Sequence, residues 1–275
     1  MNLLTDQTKE KIKHNILLPF QNGEYESAME AISAVLDELY DNIPENRRIS
    51  YGRVHTIKVL SEYLYIKLTE NNAPVFQIAS DLFNISIDYK GTGVALGILS
   101  FYGLEDYKSV VPYFEKAALS FYWDVREFAQ MFFRKLIKKY PDEMREYLLQ
   151  LVDSEDANIR RFVSETLRPV QENKWFYKYP DYPLSVLQYM FKESSQYPRT
   201  SVGNNLSDLS RKHPELVFQI IAELVESGDQ NSYWIACRAC RNLVKKEPIR
   251  VMNALRLNEY KYKMRIHKRS DYQGN

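Results

Sequence analysis

Three carboxylates recur in register along the 275-residue chain, each after a residue that opens a helical segment. Glu127 stands one position past Arg126, Glu165 five past Arg160 and Asp208 nine past Arg199. Four residues turn an α-helix by about 400° and raise it by about 6 Å. Three acids so spaced face nearly the same way, on helices about 10 Å apart, as a diagonal row across one face of a stack. Ionised carboxylates in such a row can stabilise a developing positive charge and orient water. In a stack that carries no site, the same acids would cap helices or pair with arginines such as Arg161, Arg168 and Arg199. Spacing alone leaves both readings open.

Cations surround the row: Arg161, Arg168, Lys174, Lys178, Arg199, Arg211, Lys212, Arg238, Arg241, Lys245 and Lys246. Spread over consecutive helices, they suit the phosphates of a nucleic-acid backbone better than one small anion. Residues 1–157 hold 17 Lys+Arg against 24 Asp+Glu, a net of −7; residues 158–275 hold 20 against 12, a net of +8. A basic half suits a polyanion partner. Between Phe162 and Pro183 the run Lys174-Trp175-Phe176-Tyr177-Lys178-Tyr179 sets aromatics beside cations. Such aromatics stack on bases or pack against sugar, or else plug a gap between helices. Trp234 is expected in the core.

Two other constellations carry less. Cys237 and Cys240 form Cys-x-x-Cys, but within the helical pattern YWIACRACRNLVKK; a redox motif needs a βαβ setting and a zinc site two further ligands. Packed helical cysteines and no metal are expected. Gly91, Gly93 and Gly97 are spaced GxGxxxG without a preceding strand or a following acid, so they serve close helix packing rather than a dinucleotide.

The elements that must position these residues are helical. Nine glycines in 275 residues disfavour an all-β fold. Apolar periodicity predicts helices over 2–20, 24–40, 50–68 (capped by Ser50, with Val54, Ile57, Leu60, Leu64 and Ile66 inward), 74–87, 93–102 and 105–119. No apolar run reaches the ~18 residues of a membrane span, and the first residues lack a signal-peptide core. The expected location is the cytoplasm.

From residue 120 a repeat emerges. Lys138-Lys139-Tyr140-Pro141, Arg211-Lys212-His213-Pro214 and Lys245-Lys246-Glu247-Pro248 each close one helix and open the next, because cations favour a helix C-terminus and proline its first turn. Val125-Arg126, Ile159-Arg160, Pro198-Arg199 and Trp234-Ile235 open the first helices of four units, at intervals of 34, 39 and 36. Helix pairs at this period predict an all-α fold, an α-solenoid of HEAT-like helix pairs curved around a concave basic groove. One solenoid is expected over 1–260, irregular over 1–119 and clear over 120–260, followed by a basic polar tail at 261–275.

The residues VREFA (125–129), SETLRP (164–169), SVGNNLSDLSRKHPELV (201–217) and WIACRACRNLVKKEP (234–248) resemble the AlkC-type branch of the HEAT-like-repeat alkylpurine DNA glycosylases. The resemblance covers about residues 120–250. It implies a curved stack cradling duplex DNA, acting as a monomer without a cofactor. The implied activity is excision of cationic N-alkylated purines of the 3-methyladenine type. Asp208 and Glu165 would stabilise the sugar cation and orient water, with Glu127 in support. Trp175 would contact the lesion. Arg161, Arg168, Lys174, Arg199, Asn204, Asn205, Lys212, Arg238 and Lys245 would bind DNA. The chain departs from the family pattern where RPVQENKW replaces RPRLPW and where Thr200 replaces a second arginine. Nothing in it patterns as the extra C-terminal β-domain of some relatives. A non-catalytic DNA-binding solenoid and a protein-interaction scaffold use the same repeats and stand as alternatives.

Overall fold

The computed structural model describes residues 3–48 and 52–260, and among these there are helices and no strand. The expected cap Ser50 and the tail at 261–275 lie outside the described residues. The chain falls into two compact units, one ending at Lys139 and the other beginning at Tyr140.

In the first unit, α1 (Asp6–Ile12) runs through a π turn, Lys13–Leu17, into a last stretch, Leu18–Asn22. The wide turn precedes Pro19, which has no N–H to give to the helical ladder. Next come α2 (Tyr25–Asp41), α3 (Gly52–Glu70), α4 (Val75–Ile85), α5 (Tyr89–Tyr102), α6 (Tyr107–Ala118) and α7 (Trp123–Lys139). Asp88 and Asp106 accept from the backbone N–H groups of Gly91 and Ser109, so the polar residue before each of α5 and α6 caps it. Ile66 is exposed rather than inward. Leu64 and Leu68, four apart, hold the buried stripe of α3, and Ile66 sits half a turn away.

The helices α3, α5 and α7 pack side by side, with α5 central and almost wholly buried. Its glycines serve the expected close packing. A Cβ on Gly97 would lie 2.2 Å from Ser61 Oγ of α3 and 3.1 Å from the Phe132 ring of α7. One on Gly93 would lie 3.2 Å from Phe128 and 3.3 Å from Ile57.

The second unit holds α8 (Pro141–Leu151), α9 (Ala157–Thr166), a 3₁₀ turn (Gln171–Tyr177), α10 (Asp181–Leu187), α11 (Gln196–Leu209), α12 (Pro214–Glu226), α13 (Gln230–Ala239) and α14 (Pro248–Leu255). Helices α9, α11 and α13 form one layer; α8 packs on α10 and α12 on α14. Proline opens α8, α12 and α14, as the basic-pair markers predict.

The pairing reaches further toward the N-terminus than the expected irregular stretch 1–119. First helices begin at residues 52, 89, 123, 157, 196 and 230, steps of 37, 34, 34, 39 and 34. The earlier pairs lack the basic-pair-proline marker, so their period is carried by packing alone. By units, charge is also more even: residues 1–139 carry 16 Lys+Arg against 18 Asp+Glu, and residues 140–275 carry 21 against 18. The acids of α8 and the loop after it fall in the second unit.

Candidate active site

In three successive first helices the opening arginine turns back on its own loop. Arg126 Nη1 donates to the carbonyls of Ser120 and Phe121 at 2.7 and 2.9 Å. Arg160 Nη1 donates to those of Ser154 and Glu155 at 2.6 and 3.0 Å, and Arg199 Nη1 to that of Ser194 at 3.4 Å. This shared brace is the physical content of the arginine landmark. Arg160 also forks onto Glu193, with Nε–Oε2 2.7 Å and Nη2–Oε1 3.0 Å.

Glu165 and Asp208 meet at the C-terminal ends of α9 and α11. Both acids ride on helix faces set by i, i+3/i+4 spacing. Arg161, Glu165 and Arg168 share one face of α9 and the turn after it. Ser201, Asn205 and Asp208 share the opposing face of α11. Glu165 is only 3% exposed. Its Oε1 accepts from Ser201 Oγ at 2.8 Å and pairs with Arg161 Nη1 at 3.1 Å; its Oε2 takes Arg168 Nη1 at 3.2 Å. Arg168 then reaches across to Asp208 Oδ2 with Nη2 at 2.6 Å and Nε at 3.2 Å. Asp208 Oδ1 pairs with Arg211 Nη2 at 3.2 Å. Burial works against the Arg168 charge, but the Glu165 charge and the Asp208 hydrogen bond outweigh it and raise the guanidinium pKa.

Two members of the implied DNA-binding set are placed otherwise. Arg168 is committed to the two carboxylates through all three of its nitrogens. Asn205 is 2% exposed, and its Nδ2 donates to the carbonyls of Ser164 and Ser201 at 2.6 and 3.2 Å. It fastens α11 to α9 from within, as its place one turn after Ser201 requires. Asn204, on the other side of α11, accepts at Oδ1 from Arg238 Nε at 3.0 Å and Arg241 Nη1 at 2.6 Å. Arg161 lies 4.2 Å over the Tyr197 ring. Arg199 donates to Asn231 and lies 4.9 Å over the buried Trp234 ring. Lys174, Lys212 and Lys245 are exposed.

The aromatic stretch after α9 is a packed turn rather than a free loop. Phe176 and Asn173 are fully buried, and Asn173 Nδ2 donates to the Thr166 carbonyl at 2.7 Å, closing the end of α9. Trp175 is half-buried against Phe176 and Tyr182, with ring centroids at 4.4 and 4.9 Å. Tyr177 joins the site: its hydroxyl donates to the Asp208 carbonyl at 3.3 Å, and its own carbonyl meets His213 Nε2 at 2.7 Å. The aromatics therefore both fill the inserted segment and back the Asp208 helix end.

Glu127 lies in the first unit, half-buried, one turn into α7. Ahead of it the chain shows three exposed aromatics: Phe121, Tyr122 and Trp123 are 92%, 58% and 68% exposed. Trp123 is four residues before Glu127, on the same helix face. Sequence reasoning passed over these, and over Ser201. The signal for the aromatics was legible, since LSFYWD puts three large rings where the equivalent loops read DSED and ESSQ.

Cys237 and Cys240 are buried inside helix packing, and burial pushes the Cys237 thiol up to about 12 and that of Cys240 well above its ordinary value. Neither is set up as a thiolate. Among the described residues, no helix is long and apolar enough to cross a membrane.

No family model matches the chain. Over 111 residues it is 31% identical to the uncharacterized protein YhaZ of Bacillus subtilis (strain 168), a match that takes in 38% of this chain and 30% of that protein. Among solved structures it is similar to AlkD2 from Streptococcus mutans, with a TM-score of 0.57 and 19% identity over 76% of this chain and 97% of the other. It is also similar to the Pseudomonas fluorescens alkylpurine DNA glycosylase AlkC bound to DNA containing an abasic site analog. There the TM-score is 0.53 and the identity 20%, over 92% of this chain and 65% of the other. At these identities the likeness is one of fold: the chain has the HEAT-like helix-pair fold of these two proteins, as its motifs imply.

Proposed function

We propose that this chain is a DNA glycosylase of alkylation repair that removes cationic N-alkylated purines of the 3-methyladenine type from duplex DNA. One observation carries the reading. The two motifs that resemble the AlkC-type enzymes, SETLRP and NNLSD, bring their carboxylates Glu165 and Asp208 to one arginine at adjoining helix ends. The fold shared with AlkC supports it.

The chemistry asks little of the protein. A purine alkylated at N3 or N7 carries a positive charge and leaves as a neutral base, taking the electrons of the C1′–N bond. Positive charge then develops on the sugar, where ionised carboxylates stabilise it. Water adds its oxygen to C1′ and loses a proton to a carboxylate or to solvent. The products are the free base and an abasic site, and no cofactor takes part. In this reading Asp208 and Glu165 supply the negative field. Trp175 contacts the lesion side, and the exposed Lys174, Lys212 and Lys245, with Arg161, Arg199 and Arg238, line a basic concave groove for the phosphates. The protein acts as a monomer in the cytoplasm.

The test is release of 3-methyladenine from alkylated duplex DNA by the wild type, Asp208→Ala and Glu165→Ala. Undiminished release by both variants removes these roles. A second reading, a DNA-binding solenoid without turnover, has one observation in its favour: both carboxylates are already paired with arginines. It predicts DNA affinity that falls steeply with salt and no release from any alkylated substrate.

A further inference from the structure

We infer that Asp208 alone is the carboxylate that meets the substrate, and that Glu165 and Arg168 are positioning residues that act through it. The inference deepens the reading above and rests on it for the reaction, though not for the geometry.

The two acids are unequal. The Glu165 side chain is 4% exposed and that of Asp208 13%. Glu165 spends Oε1 on Ser201 and Arg161 and Oε2 on Arg168, so both oxygens face protein donors. A sugar could meet Glu165 only after one of those contacts opened. Asp208 stands at the exposed end of the chain of contacts. Its Oδ2 is held by two nitrogens of Arg168, while among the described residues Oδ1 is held only by Arg211, whose side chain is 60% exposed. Displacing or sharing Arg211 is enough to present Oδ1.

The order of support therefore runs inward. Ser201 and Arg161 fix Glu165, Glu165 fixes the Arg168 fork, and Arg168 fixes the plane of the Asp208 carboxylate. From the far side, Tyr177 holds the Asp208 carbonyl. Arg168 cannot satisfy both acids at these distances and also reach a phosphate, which separates it from the exposed lysines. A group held this way serves orientation, and a misplacement of about 1 Å in a reacting group costs about 100-fold in rate.

The experiment uses the full chain and two readouts. The first is kcat and KM for 3-methyladenine release by wild type, Asp208→Asn, Glu165→Gln and Arg168→Lys. Asp208→Asn is expected to lower kcat by about 1,000-fold, the scale of a lost electrostatic contact to the transition state. Glu165→Gln and Arg168→Lys are expected to lower kcat by about 10- to 100-fold with KM unchanged, since they move Asp208 and do not bind DNA. The second readout needs no turnover: carbodiimide-driven coupling of glycinamide to carboxylates, mapped by mass spectrometry with and without a duplex holding an abasic-site analogue. Asp208 is expected to be labelled and then protected by the duplex, with Glu165 unlabelled throughout. Equal losses from Glu165→Gln and Asp208→Asn, or a rise in KM alone from Arg168→Lys, would overturn the inference. So would labelling and duplex protection of Glu165 in place of Asp208. If the wild type releases no base but the duplex still protects Asp208, the proposed reaction fails and the ordering of the two acids stands. If the duplex protects neither, both fail.

Discussion

In the first unit, α3, α5 and α7 meet through glycines, Ser61 and the rings of Phe128 and Phe132. In the second, α9 and α11 meet through Ser164, Ser201, Asn205 and a buried ionic cluster as well as apolar residues. The two seams do the same architectural work with different chemistry. The first is packed chiefly through glycine and apolar side chains. Desolvating ions is costly, and replacing a buried ionic group by apolar residues is often neutral or stabilising. The ions of the second seam stand at the ends of the two helices that carry SETLRP and NNLSD, where the proposed function sets its carboxylates.

The contrast can be broken most forcefully at Glu165. Glu165→Ala leaves Arg161 and Arg168 facing a hole, and a loss of about 3–5 kcal/mol is expected in urea unfolding. A joint Glu165→Leu, Arg168→Met, Asp208→Leu variant should recover most of that loss while abolishing the proposed base release. Failure to recover it would mean the ions are structural after all. The first seam is tested by bulk. Gly97→Leu forces a side chain where a Cβ alone meets Ser61 at 2.2 Å, and a loss of about 1–3 kcal/mol is expected. Gly97→Ala made together with Ser61→Gly should restore part of it. A fully tolerated Gly97→Leu would show that this seam is looser than its geometry.

The first seam also holds a charge in the wrong place, Lys135 of α7, whose Nζ lies 2.9 Å from the Phe101 ring centroid of α5. Burial lowers its pKa to about 8 from 10.5, opposed by Glu62 and aided by Lys58. Between those two values the unfolded chain binds the proton and the folded chain does not, so stability rises with pH there; below about 8 the penalty of the buried ammonium is fully present. A gain of about 1–2 kcal/mol from pH 7.5 to 10 is expected over that of Lys135→Met, trimmed because the ring face favours the ammonium. Equal gains in both proteins would discount the shift. The smallest effect belongs to the rim of the second unit. Lys212→Ala should leave unfolding unchanged and lower the slope of log Kd for duplex DNA against log salt by about 1. An unchanged slope would take Lys212 out of the proposed phosphate contacts.

Much of this was legible before any coordinates. The helices at Tyr25–Asp41 and Pro214–Glu226 follow from apolar periodicity, and the second also from the proline at its start, which are local effects. The pairing of α9 with α11 was legible through the arginine landmark, because both repeats spend the same residue on the same loop brace. What was misjudged lay one residue off. Asn205 and Asn204 are adjacent in sequence, yet one is buried between helices and the other faces arginines. Residue type cannot distinguish them; only the direction of the neighbouring helix does. The break at Lys139 was likewise not visible, since the repeat passes through it without a change of period.

The sequence by itself determined most of the helical segments and where the later pairs turn, because 3.6-residue periodicity, caps and prolines act over a few residues. Only the tertiary structure decided what the carboxylates face. Glu165 and Asp208 are 43 positions apart, and their shared arginine, their unequal exposure and the tyrosine behind Asp208 come from how α9, the 3₁₀ turn and α11 pack. Burial and long-range pairing belong to that packing and are written in no single stretch of the chain.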